Sequence, residues 1–362
     1  MRVHVIHPGD LGPSEIDAWH RMQKATASQG DPFLSPEYAI AVGRFRPQSR
    51  VAVLVDGQCT VGFFPFEARR LGAGVPISGW LSACQGVVHE PGVRWDMGEL
   101  LRGCNLSAWR FDNLIVDQVA AASCRADIAP APVIDLTAGF DSYYAQLRER
   151  SPRFCREIER KARKIAREAG ELRLASDSPD PDLLNLMIAW KSAQYRDTDA
   201  VDRFAVPWVT GLLHATLAMR GDHLSGLLSV LYAGDQPVSM QFGLRSGGIL
   251  EGWFTVYDQR FSKYSPGLLH LKLMTGVLRG HGIDRLHMGK GAKPSARAFK
   301  SYDTQLGTGT ATGRSALGLV HRAADGVGRQ AVGTVRGHQA LRRAADQVLR
   351  RSGASRRLYG KL

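Results

Sequence analysis

Apolar and polar positions along this chain follow two periods that replace one another repeatedly. The first residues, Met1 to Ile6, read as a short strand ended by Pro8-Gly9, and a helical period follows over 14–27 with Ser14 at its N-cap. Phe33-Leu34-Ser35-Pro36-Glu37 opens a second helix, with Ser35 capping and Pro36 in the first turn, where proline is tolerated. Val51-Ala52-Val53-Leu54-Val55, the turn Asp56-Gly57 and the run 59–68 spell a hairpin. A glycine-broken connection over 72–79, a helix over 96–104 and a strand over 108–112 come next, and 119–128 is weakly patterned. Ala129-Pro130-Ala131-Pro132 reads as a link.

Beyond the link the order repeats in outline. A strand over 133–136 leads to a helix over 140–169, broken or restarted at Ser151-Pro152 and closed by Gly170. Helices over 182–195 and 209–220 precede three β runs, 227–233, 238–245 and 249–257, joined by Gly234-Asp235 and Gly247-Gly248 as an antiparallel meander. A helix over 266–279, a strand over 284–288, a short helix over 295–301 and a strand over 305–312 complete the pattern. Both halves share the order helix, hairpin, helix, strand. The expected organisation is an α/β chain with lobes at 1–130 and 131–313 and a basic helical tail at 314–362.

The chain has 362 residues and 44% hydrophobic content, enough for two cores. The five cysteines are scattered without CxxC spacing, which points away from a disulfide framework or structural zinc and toward a reducing cytoplasm. There is no secretory leader pattern and no apolar run long enough for a membrane helix. The net charge of +13 is local: 148–168 holds nine Lys/Arg against four Asp/Glu, and 314–361 holds eleven against two, which leaves the rest near −1. Basic charge in one helix and one tail suits a peripheral contact with tRNA or an anionic surface better than a basic active-site cleft. Within the tail, Ala340, Leu341, Ala344, Val348 and Leu349 recur at helical spacing between arginines, a short basic amphipathic helix.

The most informative junction lies where the run 249–257 meets Ser265-Pro266-Gly267. Ser265 suits an N-cap, Pro266 the first helical position, and Gly267 lets a ligand approach the backbone. Open N–H groups and the positive end of the helix dipole make an anion site there, with Lys263 just outside as an added cation. A plain structural cap is the alternative.

That junction belongs to a longer series: Tyr257-Asp258, Tyr264-Ser265-Pro266-Gly267-Leu268-Leu269, Gly280-His281-Gly282-Ile283, Gly289-Lys290-Gly291 and Phe299-Lys300. Together with Asp31-Pro32-Phe33-Leu34-Ser35-Pro36-Glu37-Tyr38 upstream, it resembles the cellulose-biosynthesis-associated (CelD-like) branch of the GNAT acetyltransferases. The resemblance implies two tandem GNAT-like lobes, each a mixed, largely antiparallel sheet flanked by helices. It also implies acyl-CoA, with acetyl-CoA the expected form, as a co-substrate rather than a resident cofactor, and an amine acceptor of small-molecule, sugar or peptide-like type. The chain departs from the branch in placing His287-Met288-Gly289 where an Asp-Phe-Gly element is usual, and Ala292-Lys293 where an acidic residue commonly follows.

Acyl transfer needs a base for the acceptor, a donor for the developing oxyanion and a proton source for the thiolate. Strict alternation on 249–257 places Glu251, Trp253, Thr255 and Tyr257 on one face, with Gln241 beside them, turned toward a cleft. Glu251 reads as a general base or as a carboxylate paired across the sheet with Arg245. His287 reads as a second base or as a histidine satisfied within a strand. Tyr264 and Tyr302 are acids for the thiolate or packing tyrosines, and Lys300 meets the donor's phosphates or only solvent. The donor set is thus Lys263, Tyr264, Ser265, Pro266, Gly267, Leu268 and Lys300. Trp190, Lys191, Gln194 and Tyr195 fall at helical spacing and line an acceptor cleft or a core. No HExxH, Walker or paired Asp/His pattern suggests a metal or ATP. Fem-type peptidyltransferases, which take an aminoacyl group from tRNA, also resemble two GNAT lobes, and the basic helix over 148–168 keeps that reading open.

Overall fold

The computed structural model describes residues 1–122, 126–198, 200–313 and 318. In chain order its elements are β1 (Arg2–Ile6), α1 (Pro13–Ala25), α2 (Pro36–Phe45), β2 (Ser49–Asp56), β3 (Cys59–Ala68), β4 (Ala73–Pro76), β5 (Val88–His89), α3 (Met97–Gly103), β6 (Ala108–Ile115) and β7 (Asp127–Asp135). Then follow α4 (Phe140–Arg150), α5 (Pro152–Ala169), β8 (Leu172–Ala175), α6 (Pro181–Asp197), α7 (Pro207–Leu217), β9 (Ser225–Ala233), β10 (Gln236–Ser246), β11 (Ile249–Tyr257), α8 (Pro266–Val277), β12 (Arg285–His287), α9 (Pro294–Arg297) and β13 (Tyr302–Thr312).

The strands form one mixed sheet whose order reads almost the same from both ends: β1-β2-β3-β4-β6, then β13-β7, then β12-β11-β10-β9-β8. In each outer block four strands run antiparallel and the fifth, β6 or β12, joins in parallel. The two lobes are therefore built alike and meet through the central pair β13 and β7. Helices of both lobes share the core on one side of the sheet. Trp19, Phe33, Tyr38 and Phe63 pack there in a single cluster with Leu212, Leu213, Met240 and Phe242. On the other side, Met97, Leu100 and Leu101 of α3 cover the first lobe, while α4, α5 and α8 cover the second. Among the described residues no helix is long and apolar enough to cross a membrane.

Local chemistry explains most boundaries. Ser35 Oγ accepts the Tyr38 N–H at 3.1 Å, so the expected cap forms. Ser14 does not cap α1: Pro13 takes the first position, Gly12 is the N-cap, and Glu15 reaches back to the Gly12 N–H at 2.7 Å. The stretch 129–132 is no link but the middle of β7, paired with β13. Its prolines fit because the Pro132 carbonyl, and with it the missing N–H, faces the side where β12 has ended. The interruption at Ser151-Pro152 separates α4 from α5, and α9 is only four residues long. Gly170 closes α5 at φ 103°, where a Cβ would lie 2.8 Å from the Gly234 backbone. The expected tail helix lies outside the described residues.

Candidate active site

β11 and β12 pair only at Ile249↔Arg285, Leu250↔Leu286 and Glu251↔His287. β11 then continues to Tyr257 while β12 stops, so the sheet forks. The fork is widened by a bulge: Phe242 faces Phe254, but Gly243 faces Gly252, and Trp253 is the extra residue. The bulge overturns strict alternation. Glu251 lies opposite Leu244 and shares its face, whereas Thr255 and Tyr257 lie on the other face, close to Gly267 of α8. A Cβ at Gly243 would come within 2.6 Å of the Glu251 carbonyl, so glycine is required for this close approach.

A cavity of about 870 Å³ occupies the fork. One end is walled by α5 and the start of α8, through Phe154, Glu157, Lys161, Ser265, Gly267 and Leu268. The other end is walled by Trp80, Leu81 and Asn113 of the first lobe and by Lys191, Gln194 and Tyr195 of α6. Glu251, Trp253 and His287 stand between them, with Gln241. The corresponding place in the first lobe, beyond Pro76 of β4, holds a cavity of only about 10 Å³, lined by Phe33, Pro76, Cys84 and Trp109, too small to hold a ligand.

The start of α8 differs in detail from a plain N-cap. Ser265 is left-handed (φ 55°), its side chain does not cap the helix, and its Oγ accepts from Lys161 Nζ at 2.7 Å. The Leu268 and Leu269 N–H groups donate to the Ser265 carbonyl, and Pro266 has none to give. The Gly267 N–H and the Lys161 ammonium are thus what this end offers an anion. Lys263, placed by sequence just outside the helix, is tied to Glu168 at 3.1 Å, as is the buried Tyr264 through its hydroxyl. Lys300 pairs with Asp303, and Tyr302 lies on β13 facing Val133, so neither reaches the cavity. Trp190 packs against the shared core, while Lys191, Gln194, Trp253 and Tyr257 do line the cavity.

At the fork itself, His287 Nδ1 lies 3.2 Å from Glu251 Oε2 and 3.3 Å from Oδ2 of Asp31. Arg245, the cross-strand partner expected for Glu251, instead bonds Ser225 and the His281 carbonyl. Asp31 comes from the first lobe, fixed by the Phe33 N–H on its Oδ1 at 2.9 Å. Burial pushes the Glu251 carboxyl up to about 7 and Asp31 adds to the rise, while His287 opposes it. Burial works against the His287 imidazolium, but hydrogen bonds and attraction from Asp31 and Glu251 outweigh it and lift the group to about 10. The three donor atoms lie within 4.8 Å of one another, a metal-like spacing. Asp31 was legible in the sequence only as part of an opening motif.

Residues 152–301 match the family model described as an acetyltransferase (GNAT) domain, a stretch that runs from α5 through α9 and holds both Glu251 and the start of α8. No curated protein matches the chain. Among solved structures, FemX superposes with a TM-score of 0.58 at 10% identity, covering 85% of this chain and 96% of FemX. The C-terminal domain of a protein described as a lysylphosphatidylglycerol synthetase from Agrobacterium fabrum gives 0.52 at 12% identity, covering 85% and 96%. A protein of unknown function from Bacteroides thetaiotaomicron gives 0.51 at 10% identity, covering 83% and 98%. At these identities the likeness is one of fold alone; the GNAT domain match is to 152–301, within the second lobe.

Proposed function

We propose that the chain moves an acyl group, acetyl in the simplest case, from acyl-CoA to an amine. One observation carries this reading: the cavity passes through the fork of the sheet, with a helix start and Lys161 at one end and a buried carboxylate near neutrality at its waist. The pyrophosphate of the donor is assigned to the Gly267 N–H and Lys161. The thioester then reaches the fork, where the β11 backbone beyond Glu251 has lost its β12 partner and turns N–H groups toward the carbonyl oxygen. The acceptor amine enters between Trp80, Trp253 and α6. As nitrogen attacks, the C–N bond forms, Glu251 takes the amine proton, and the tetrahedral intermediate expels the CoA thiolate. His287 and Asp31 hold Glu251 in place and set its proton affinity.

A second reading, aminoacyl-tRNA as donor, draws support from Arg153, Arg156, Arg160, Arg163 and Arg167. These are exposed along the same helix that walls the donor end. Melting curves separate the two. Acetyl-CoA, but not bulk tRNA, is expected to raise the melting temperature by binding the folded state, and the rise should shrink in Lys161→Gln. Stabilisation by aminoacyl-tRNA alone would reverse the assignment of the donor.

A further inference from the structure

Besides His287, which is committed to Glu251 and Asp31, five Lys/Arg side chains line the cavity, Lys161, Lys191, Arg203, Lys290 and Lys293, against two carboxylates, Glu157 and Glu251. Both carboxylates are taken: Glu157 holds Arg160 at 2.7 Å, and Glu251 holds His287. Lys161 is engaged at Ser265 and Lys290 at the Asp112 carbonyl and Thr308. The remaining three, Lys191, Arg203 and Lys293, have no carboxylate partner among the described residues. Arg203 lies over the Trp80 ring at 4.4 Å, Lys293 lies 5.9 Å from the centre of the Tyr257 ring, and Lys191 donates to the Thr255 carbonyl at 2.9 Å. The nearest acid in sequence, Asp202, is occupied by the Phe204 N–H and Ser192 on one oxygen and Arg196 on the other. Burial, then repulsion from Lys293 and Arg203, lowers the Lys191 ammonium to about 8, as expected when three cations share a wall without a counter-charge.

Resting on the acyl-transfer reading above, we propose that the acceptor amine carries an oxyanion, phosphate or carboxylate, that Lys191 and Arg203 bind together with Lys293. Arg203, held on Trp80 of the first lobe, sets the cluster against the acceptor wall; Lys191 and Lys293, at Thr255 and Tyr257, extend it along β11 toward the start of α8. The donor end has its own cation in Lys161. Trp80, Trp253 and Phe254 form an aromatic wall beside the cluster; Lys191 is its half-buried member, while Arg203 and Lys293 stand exposed at the rim, where an incoming oxyanion meets them first.

The test compares matched amines on the CoA-saturated protein: ethanolamine with O-phosphoethanolamine, and propylamine with β-alanine. Each Kd is read from the melting temperature as a function of amine concentration. The oxyanion-bearing member of at least one pair should bind about ten-fold more tightly or better. Arg203→Gln and Lys191→Gln should erase that difference while the acetyl-CoA shift stays at its wild-type value. The phosphate and carboxylate pairs show which oxyanion is preferred. Equal binding of the members with and without an oxyanion in both pairs, with a normal acetyl-CoA shift, overturns the proposal alone. An acetyl-CoA shift lost in Arg203→Gln gives the cluster to the donor's phosphates and also overturns it. If wild-type protein shows no acetyl-CoA shift, the donor reading fails first and the proposal falls with it.

Discussion

At the scale of single residues, the proposed chemistry turns on three side chains at the fork, Glu251, His287 and Asp31. Glu251→Gln should lower kcat by about 10²–10⁴, the usual range for a lost general base. In the proposed role Glu251 acts ionised, and with its carboxyl raised to about 7, kcat/KM should climb as pH rises through that value. The neighbours move this limb in opposite directions. Asp31 raises the Glu251 carboxyl, so Asp31→Asn should shift the limb to lower pH; His287 lowers it, so His287→Asn should shift the limb upward. Parallel shifts in the two variants, or none, would remove the trio from the mechanism. The stability sign is separate. His287 is raised above its ordinary value, so its pairing stabilises the fold fully below about 6.5, a contribution lost as pH climbs toward about 10.

Glu251 and His287 stood out in the sequence because both residue types suit a base and both fall on strands, His287 at the very end of β12. Asp31 was not, since its partner lies 256 positions away and its own neighbourhood reads as a helix cap. Lys161 was hidden for another reason: in a helix of alternating charges, nothing marks which lysine turns inward. Lys263, better placed in the linear text, is held outside by Glu168.

Among elements, the meander β9-β10-β11 followed directly from apolar periodicity and the Gly-containing turns. Its functional property did not. A bulge adds one residue to one strand, so counting by twos fails just where the face changes, and Thr255 and Tyr257 part company with Glu251. The bulge is anchored by Gly243, whose missing Cβ admits the Glu251 backbone. Gly243→Ala would force that backbone aside, costing about 1–3 kcal/mol as an overpacking change. A lower melting temperature and a disproportionate fall in kcat relative to the Kd for acetyl-CoA are the expected results. Unchanged values for both would show that the β10–β11 register tolerates a side chain there.

Over the whole molecule, the near-palindromic sheet gives each lobe the same opportunity for a fork, yet among the described residues the fork of the second lobe holds a cavity of about 870 Å³ and the corresponding place in the first about 10 Å³. The first lobe serves instead as a wall, contributing Asp31, Trp80, Leu81 and Asn113 to a site it does not contain on its own. Repetition of helix, hairpin, helix and strand was visible along the chain, but not the central pairing of β13 with both β6 and β7, which no local pattern encodes. Deleting 314–362 retains all thirteen strands, so acetyl-CoA binding should survive while salt-sensitive association with RNA or anionic vesicles is lost. Loss of acetyl-CoA binding in that variant would make the basic segment part of the domain.

The position of β13 also has a consequence for synthesis. Its partners, β6 and β7, leave the ribosome long before it does: Thr308 bonds a carbonyl 196 residues earlier. Until 302–312 emerges, the facing edges of both blocks lack their shared strand, and exposed edges of this kind invite pairing with other chains. A nascent chain of this protein therefore passes through a long interval in which both lobes have their outer strands but no seam, and the last of the described strands to be made joins the middle of the sheet.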